Sequence, residues 1–113
     1  MDCIFCKIIN GDIKSEKIYE NDKILAFADI NPIAPVHILV IPKIHINGVD
    51  SLDKTNAEVM ADIFLAINEC AKLKSIENSG FRIIINNGKD GGQDVLHMHA
   101  HLIGGKKLGR MLC

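Results

Sequence analysis

Apolar positions along the chain change period several times, and each change marks an element. Ile4, Phe5, Ile8 and Ile9 recur at helical spacing and stop at Asn10-Gly11, a C-terminal signal, which predicts a short helix. Lys17-Ile18-Tyr19-Glu20 and Ile24-Leu25-Ala26-Phe27-Ala28 flank Asn21-Asp22-Lys23, so two strands around a tight turn follow. Asn31-Pro32-Ile33-Ala34-Pro35 breaks regular structure after Asp29, because each proline lacks a donor and restricts the residue before it. Val36-His37-Ile38-Leu39-Val40-Ile41, closed by Pro42, is apolar on both faces and reads as a strand buried on at least one side. Its His37, Leu39 and Ile41 share a face.

The long periodic stretch is Val59, Ile63, Ile67, Cys70 and Leu73, at steps of three and four, preceded by Thr55-x-x-Glu58 in the form of a capping box. It predicts a helix from about Asn56 to about Leu73, ending before Asn78-Ser79-Gly80. Phe81-Arg82-Ile83-Ile84-Ile85-Asn86 is a further strand, Asn87 to Gln93 a glycine-rich turn, and Leu96 to Ile103 the last strand, ending at Gly104-Gly105. Short helix, strands, long helix, strands: that order predicts an α+β fold, an antiparallel sheet of about five strands with one long and one short helix.

Length and composition narrow the class. At 113 residues, 1–113 is expected to be a single domain able to bury one core without disulfide help. A formal charge of −1 supplies no broad positive field, so a general nucleic-acid binder is excluded as a first reading. Neither a signal peptide nor a membrane span is readable, and the expected location is cytoplasmic, with no membrane partner. Of four cysteines, Cys70 falls on the helix stripe and Cys113 reads as a free terminal thiol, while Cys3-Ile4-Phe5-Cys6 has the spacing of metal or redox chemistry.

The densest chemistry is His97-Met98-His99-Ala100-His101. On an extended strand alternate residues share a face about 6.5 Å apart, so His97, His99 and His101 would line one side and Met98, Ala100 and Leu102 would pack on the other. Such a row can bind zinc, or it can attack phosphorus through a neutral imidazole while its neighbours move protons. Gly88-Lys89-Asp90-Gly91-Gly92-Gln93 lies just upstream and could bring main-chain donors close to a phosphate, which favours the second reading.

His97-Met98-His99-Ala100-His101-Leu102-Ile103 resembles the signature of the histidine-triad (HIT) family, His-φ-His-φ-His-φ-φ with φ apolar. Gly91-Gly92-Gln93 before it and Leu102-Ile103-Gly104-Gly105 after it are most similar to the Hint branch, purine nucleoside phosphoramidases once labelled protein kinase C inhibitors. The resemblance extends over Ile4-Phe5-x-Lys7-Ile8-Ile9, Phe27-x-Asp29-Ile30 and Ala34-Pro35-x-His37-x-Leu39-Val40-Ile41-Pro42-Lys43. It implies a HIT-like fold, a homodimer, and hydrolysis of purine nucleoside phosphoramidates and related AMP conjugates through a covalent nucleotidyl-histidine. His99 would be the nucleophile, with His101 and His37 supporting the phosphate and its protons. Asp29 would hold the ribose hydroxyls beside an apolar purine pocket that includes Ile30, with a turn residue ahead of Asn31-Pro32 as the lesser alternative. Asn86, Gly92, Gln93 and Asp94 would line the phosphate and leaving-group side.

Asp94 departs from the serine that animal Hint enzymes carry there, and the tail Lys106 to Cys113 resembles bacterial members. In those members the cysteine pair holds a structural zinc, which by resemblance assigns Cys3, Cys6, His45 and His97 as ligands. A reduced, partly buried pair with His45 on the surface is the competing account. Two other functions compete with phosphoramidate hydrolysis: a Fhit-like dinucleoside polyphosphate hydrolase, and a nucleotide-binding regulatory protein with incidental catalysis.

Overall fold

The structure, a computed structural model, describes residues 3–110, so Cys113 lies outside the described residues. α1 spans Ile4–Ile9 and buries Phe5 and Ile8; Cys3 caps it, its Sγ accepting the Cys6 N–H at 3.4 Å. Six residues cannot sustain a helix in isolation, so α1 persists through what it packs against. β1 (Lys17–Glu20) and β2 (Ile24–Ala28) form the expected antiparallel hairpin. Asn21 makes its turn, the side-chain oxygen accepting the Lys23 and Ile24 amides at 2.9 and 2.8 Å.

β3 (Val36–Pro42) pairs with β2, then the chain runs through α2 (Val59–Leu73) to β4 (Phe81–Ile85) and β5 (Ala100–Gly104). The sheet has five antiparallel strands in the order β1-β2-β3-β5-β4. With one long and one short helix, this is the α+β architecture expected. Among the described residues no helix is long and apolar enough to cross a membrane.

Two boundaries differ from expectation. α2 begins at Val59, and the capping box does not form: Glu58 stands at the N-cap with no side-chain bond. Asp53 takes the capping work into a preceding turn, its Oδ1 accepting the Thr55 amide at 2.8 Å, while Asn56 Oδ1 accepts the Asp53 amide at 2.8 Å. Short polar side chains that bond the nearby backbone compete with helix, and here they delay its start. The last strand begins at Ala100 rather than Leu96, because Ala100 lies opposite both Val40 and Ile85, the last residue of β4. Residues 94–99 therefore lie outside the regular ladder; Met98 N–H instead bonds the Ile46 carbonyl at 2.6 Å.

The faces alternate as the pattern requires. Ile24, Ala26, Ile38, Val40, Ala100 and Leu102 pack with Ile63, Ile67 and Cys70 of α2, and Met98 joins them. On the other face Phe5 and Ile8 of α1 cover Leu25, Phe27, Leu39 and Ile41. Burial pushes the Cys70 thiol up to about 11, which leaves it a packing group. α1 is too short to roof the whole second face, and His37 and His101 stand beside the part it covers.

Ile67→Ala, which removes a side chain buried between α2 and the sheet, should lower unfolding free energy by about 2–5 kcal/mol in urea titrations. Glu58→Ala should change it by less than about 0.5 kcal/mol, because no capping bond is lost.

Candidate active site

Each histidine is fixed by one partner that decides where its proton sits. A main-chain carbonyl can only accept, so the 2.8 Å contact between His97 Nε2 and the Pro42 carbonyl puts the proton on Nε2 and leaves Nδ1 as a lone pair. That lone pair faces Cys3 Sγ at 3.4 Å and Cys6 Sγ at 3.7 Å. His45 repeats the arrangement: Nε2–H donates to Asn47 Oδ1 at 2.8 Å, and Nδ1 faces Cys6 Sγ at 3.3 Å.

The four candidate ligand atoms of Cys3, Cys6, His45 and His97 lie within 4.8 Å of one another. Tetrahedral zinc with Zn–S near 2.3 Å and Zn–N near 2.05 Å would set sulfur and nitrogen roughly 3.5 Å apart. The observed 3.3, 3.4 and 3.7 Å bracket that edge. Both imidazoles also carry the outer hydrogen bond that orients a metal-binding ring. The group can hold a metal ion.

His99 is 2% exposed. Its Nδ1–H donates to the His97 carbonyl at 2.7 Å, which leaves Nε2 as the basic atom. That atom lies 3.6 Å from Asp94 Oδ1, whose side chain is 80% exposed. The Phe5 ring meets the His99 ring edge-on at 5.1 Å, and the His101 ring lies 5.1 Å away on another side.

His37 and His101 form a relay. The Ile33 N–H donates to His37 Nδ1 at 3.2 Å, so the His37 proton is on Nε2. Nε2 donates to His101 Nδ1 at 2.9 Å and lies 3.4 Å from Asp29 Oδ2. His101 Nδ1 therefore accepts, and its own proton is on Nε2. Burial, and then the neighbouring His99 and His37, hold His101 below its ordinary value, with Asp29 and Asp94 pulling the other way. Burial lowers His97 likewise, against the bond to Pro42.

Asp29 takes the turn role expected of it, Oδ1 accepting the Asn31 amide at 2.8 Å, and its Oδ2 faces His37 at 3.4 Å. Ile30 beside it is 90% exposed. Asn86 follows β4 directly and is half-buried. Gly92 takes φ +79° in the loop after it, where a side chain would be strained. Gln93 is committed to the fold: Oε1 accepts the Gly88 amide at 2.8 Å, and Nε2 donates to the Asn47 and Val95 carbonyls at 2.6 and 3.0 Å. Its side chain stitches the glycine loop, whose Gly92 and Gln93 amides are themselves bonded to the Lys89 and Gly88 carbonyls at 3.0 Å.

Phe5 and Asn47 were not singled out by their residue types. Phe5 reads as an ordinary helix-face residue, and only its position between two cysteines hints at more. Asn47 precedes Gly48 as a turn pair would, which conceals its bonds to His45 and Gln93.

An open antiparallel sheet with a row of three histidines on one face defines a histidine-triad protein. The chain belongs to the HIT-domain family, whose sequence model matches residues 10–108. It is 40% identical to the purine nucleoside phosphoramidase of Escherichia coli over 109 residues, covering 96% of this chain and 92% of that protein. It is 39% identical to protein HitA of Neisseria gonorrhoeae over 102 residues, 90% of this chain and 94% of the relative. A histidine triad protein from Clostridium difficile superposes with a TM-score of 0.95 at 50% identity, covering 97% and 96% of the two chains. A HIT family hydrolase from Clostridium thermocellum gives a TM-score of 0.96 at 43% identity, covering 99% and 97%.

The depressed His101 has a consequence for stability. Its unfolded-state value lies near 6.5 and its folded value below that, so the unfolded chain takes up the proton first as pH falls. Its contribution is present above pH 6.5 and declines as pH drops through the folded value. Urea titrations between pH 7.5 and pH 5 should show this loss, and His101→Gln should flatten the slope.

Proposed function

We propose that this chain hydrolyses purine nucleoside phosphoramidates and related AMP conjugates in two steps through a nucleotidyl-His99 intermediate. The observation that carries the reading is the His99 Nδ1–H bond to the His97 carbonyl, because it leaves Nε2 unprotonated and directed into the site. Nε2 attacks the α-phosphorus, the phosphorus–nitrogen bond of the substrate breaks, and the amine departs with a proton taken from solvent. Water then attacks the phosphorus, the phosphorus–Nε2 bond breaks, the water's proton returns to solvent, and AMP is released with Nε2 restored as a lone pair. His101 Nε2–H, its tautomer set by the bond from His37, donates to a phosphate oxygen. Asp29 grips the ribose hydroxyls and Ile30 meets the purine. Asn86, Gly92 and the main chain at Gln93 line the phosphate, and Asp94 stands toward the leaving group. The similarity to the E. coli purine nucleoside phosphoramidase supports this substrate class.

Asp94 also separates this reading from a dinucleoside polyphosphate hydrolase. A carboxylate 3.6 Å from Nε2 repels an anionic leaving group and suits an amine. The unpaired edge of β4, rich in isoleucine, supports a homodimer, since such an edge invites another strand. A cytoplasmic setting suits the reduced thiols that metal binding needs.

His99→Ala should retain AMP binding by calorimetry while turnover of adenosine phosphoramidate falls by on the order of a thousandfold or more. Wild type quenched in turnover should carry a nucleotidyl adduct on His99 by mass spectrometry. Turnover at the wild-type rate in the variant would sink the mechanism.

For the metal we infer zinc, held by Cys3, Cys6, His45 and His97. Four protein ligands leave no open position, so it would stabilise structure and supply no Lewis acid to the substrate. Elemental analysis should find about one zinc per chain, and Cys3→Ser should abolish it. Full zinc content in Cys3→Ser would end the assignment.

A further inference from the structure

The nucleophile stands just outside the sheet. β5 begins at Ala100, so His99 and the residues before it lack the ladder bonds that hold His101 in register. What replaces the ladder is a set of cross-links that converge on the cysteine–histidine cluster. His97 is fully buried; Nε2 bonds Pro42, Nδ1 faces both cysteines, and its carbonyl accepts from His99 Nδ1. Once both sides of the His97 ring are held, the direction of its carbonyl has little freedom.

Two more links run to the same place. The segment carrying His45 is bonded to the nucleophile's own segment, Ile46 carbonyl to Met98 N–H at 2.6 Å and Asn47 carbonyl to Gln93 Nε2 at 2.6 Å. Phe5, between the two cysteines on α1, presses its ring against His97 at 5.8 Å and His99 at 5.1 Å, at interplanar angles of 71° and 89°. Residues 3–6, 45–47 and 93–98 are thus brought together at one cluster, and the His99 ring lies against it.

We propose that the Cys3–Cys6–His45–His97 cluster, with the Phe5 ring it carries, is the positioning device of the His99 imidazole: it fixes the proton on Nδ1 and aims Nε2. This rests on the reading of His99 as nucleophile. The metal would then matter to the rate without touching substrate. Its loss loosens α1 and the His97 carbonyl, and His99 samples the wrong tautomer and misdirected rotamers.

Three measurements test it. Long-range ¹H–¹⁵N spectra of the protein as purified should show His99 as the Nδ1–H tautomer, and chelation of the metal should shift its ring nitrogens toward a tautomer mixture. The same chelation should lower kcat roughly tenfold with KM within about twofold, because aim is lost and ground-state binding is not. Phe5→Leu, which keeps apolar volume and metal but removes the ring, should reproduce the kcat loss. Ile8→Ala, on the same helix and in the same apolar cluster but removing no ring, should leave kcat within about twofold.

An unchanged His99 spectrum on chelation overturns the proposal, as does a KM rise that accounts for all the loss, or Phe5→Leu at the wild-type rate. So does a protein that holds no metal and responds to none. Should His99→Ala keep its turnover, the nucleophile reading fails, yet the spectrum still reports whether the cluster sets the imidazole. A His99 adduct with an unmoved spectrum fails this proposal alone.

Discussion

The 2.7 Å bond from His99 Nδ1 to the His97 carbonyl constrains everything around it. A neutral imidazole has one proton and two nitrogens, and reversing them would leave a buried carbonyl unpaired, at a cost of about 1–3 kcal/mol. The same device recurs through the site: Pro42 fixes His97, Asn47 fixes His45, and Ile33 fixes His37. Three of these four bonds are to main-chain groups that can play only one role, and the fourth is to the Asn47 amide oxygen. The result is two sets of lone pairs aimed in two directions, Nδ1 of His45 and His97 toward the cysteines and Nε2 of His99 toward the open site.

This economy depends on the sheet's two faces being filled differently. The α2 side is closed by a continuous apolar core, which anchors Met98, Ala100 and Leu102 and so forces His97, His99 and His101 to the opposite side. On that side α1 covers only Leu25, Phe27, Leu39 and Ile41. A longer helix there would bury the relay; a missing one would take Phe5 away from the His97 and His99 rings. Burying polar rings next to such a core is tolerable because each of the three buried ones, His37, His97 and His99, has a hydrogen-bond partner. The lowered values of His97 and His101 follow from that dry setting and keep both rings neutral.

Period alone made much of this legible. Strand and helix spacings placed α1, the hairpin, β3 and β4, and alternation put His37 with Leu39 and the three triad histidines opposite Met98, Ala100 and Leu102. What period could not reveal was where pairing stops. Leu96 to Met98 has the composition of a strand, but β4 ends at Ile85 and leaves them no partner on that side. Thr55-x-x-Glu58 likewise has a capping pattern that Asp53 and Asn56 pre-empt through bonds two and three residues long. Geometry on an ideal strand gave three equivalent imidazoles; the family resemblance separated His97 from the other two, and the carbonyl of Pro42 is the physical reason for it. Gln93 and Asn47 were beyond reach, since an amide that will line a phosphate and one that will stitch a loop are the same letter.

Asp94 is the residue in which these strands of argument meet. Its carboxylate lies 3.6 Å from the one imidazole nitrogen left basic, so a phosphate arriving at Nε2 meets a negative charge first. The side chain is 80% exposed and follows a glycine-rich loop, which lets it turn toward solvent as the phosphate seats. At about 4 Å in a water-like surrounding the Coulomb term is on the order of 1 kcal/mol, and it grows as water leaves the site. That is too little to exclude a nucleotide which, on the proposed mechanism, also gains contacts to His101 and Asp29. It is enough to act on what departs: a polyphosphate leaving group is repelled where an amine taking up a proton is attracted. On the proposed mechanism, a carboxylate in that position would therefore weaken binding of the phosphate slightly and favour the basic leaving group. The proton of His99 beside it is held on the far nitrogen and takes no part in the exchange.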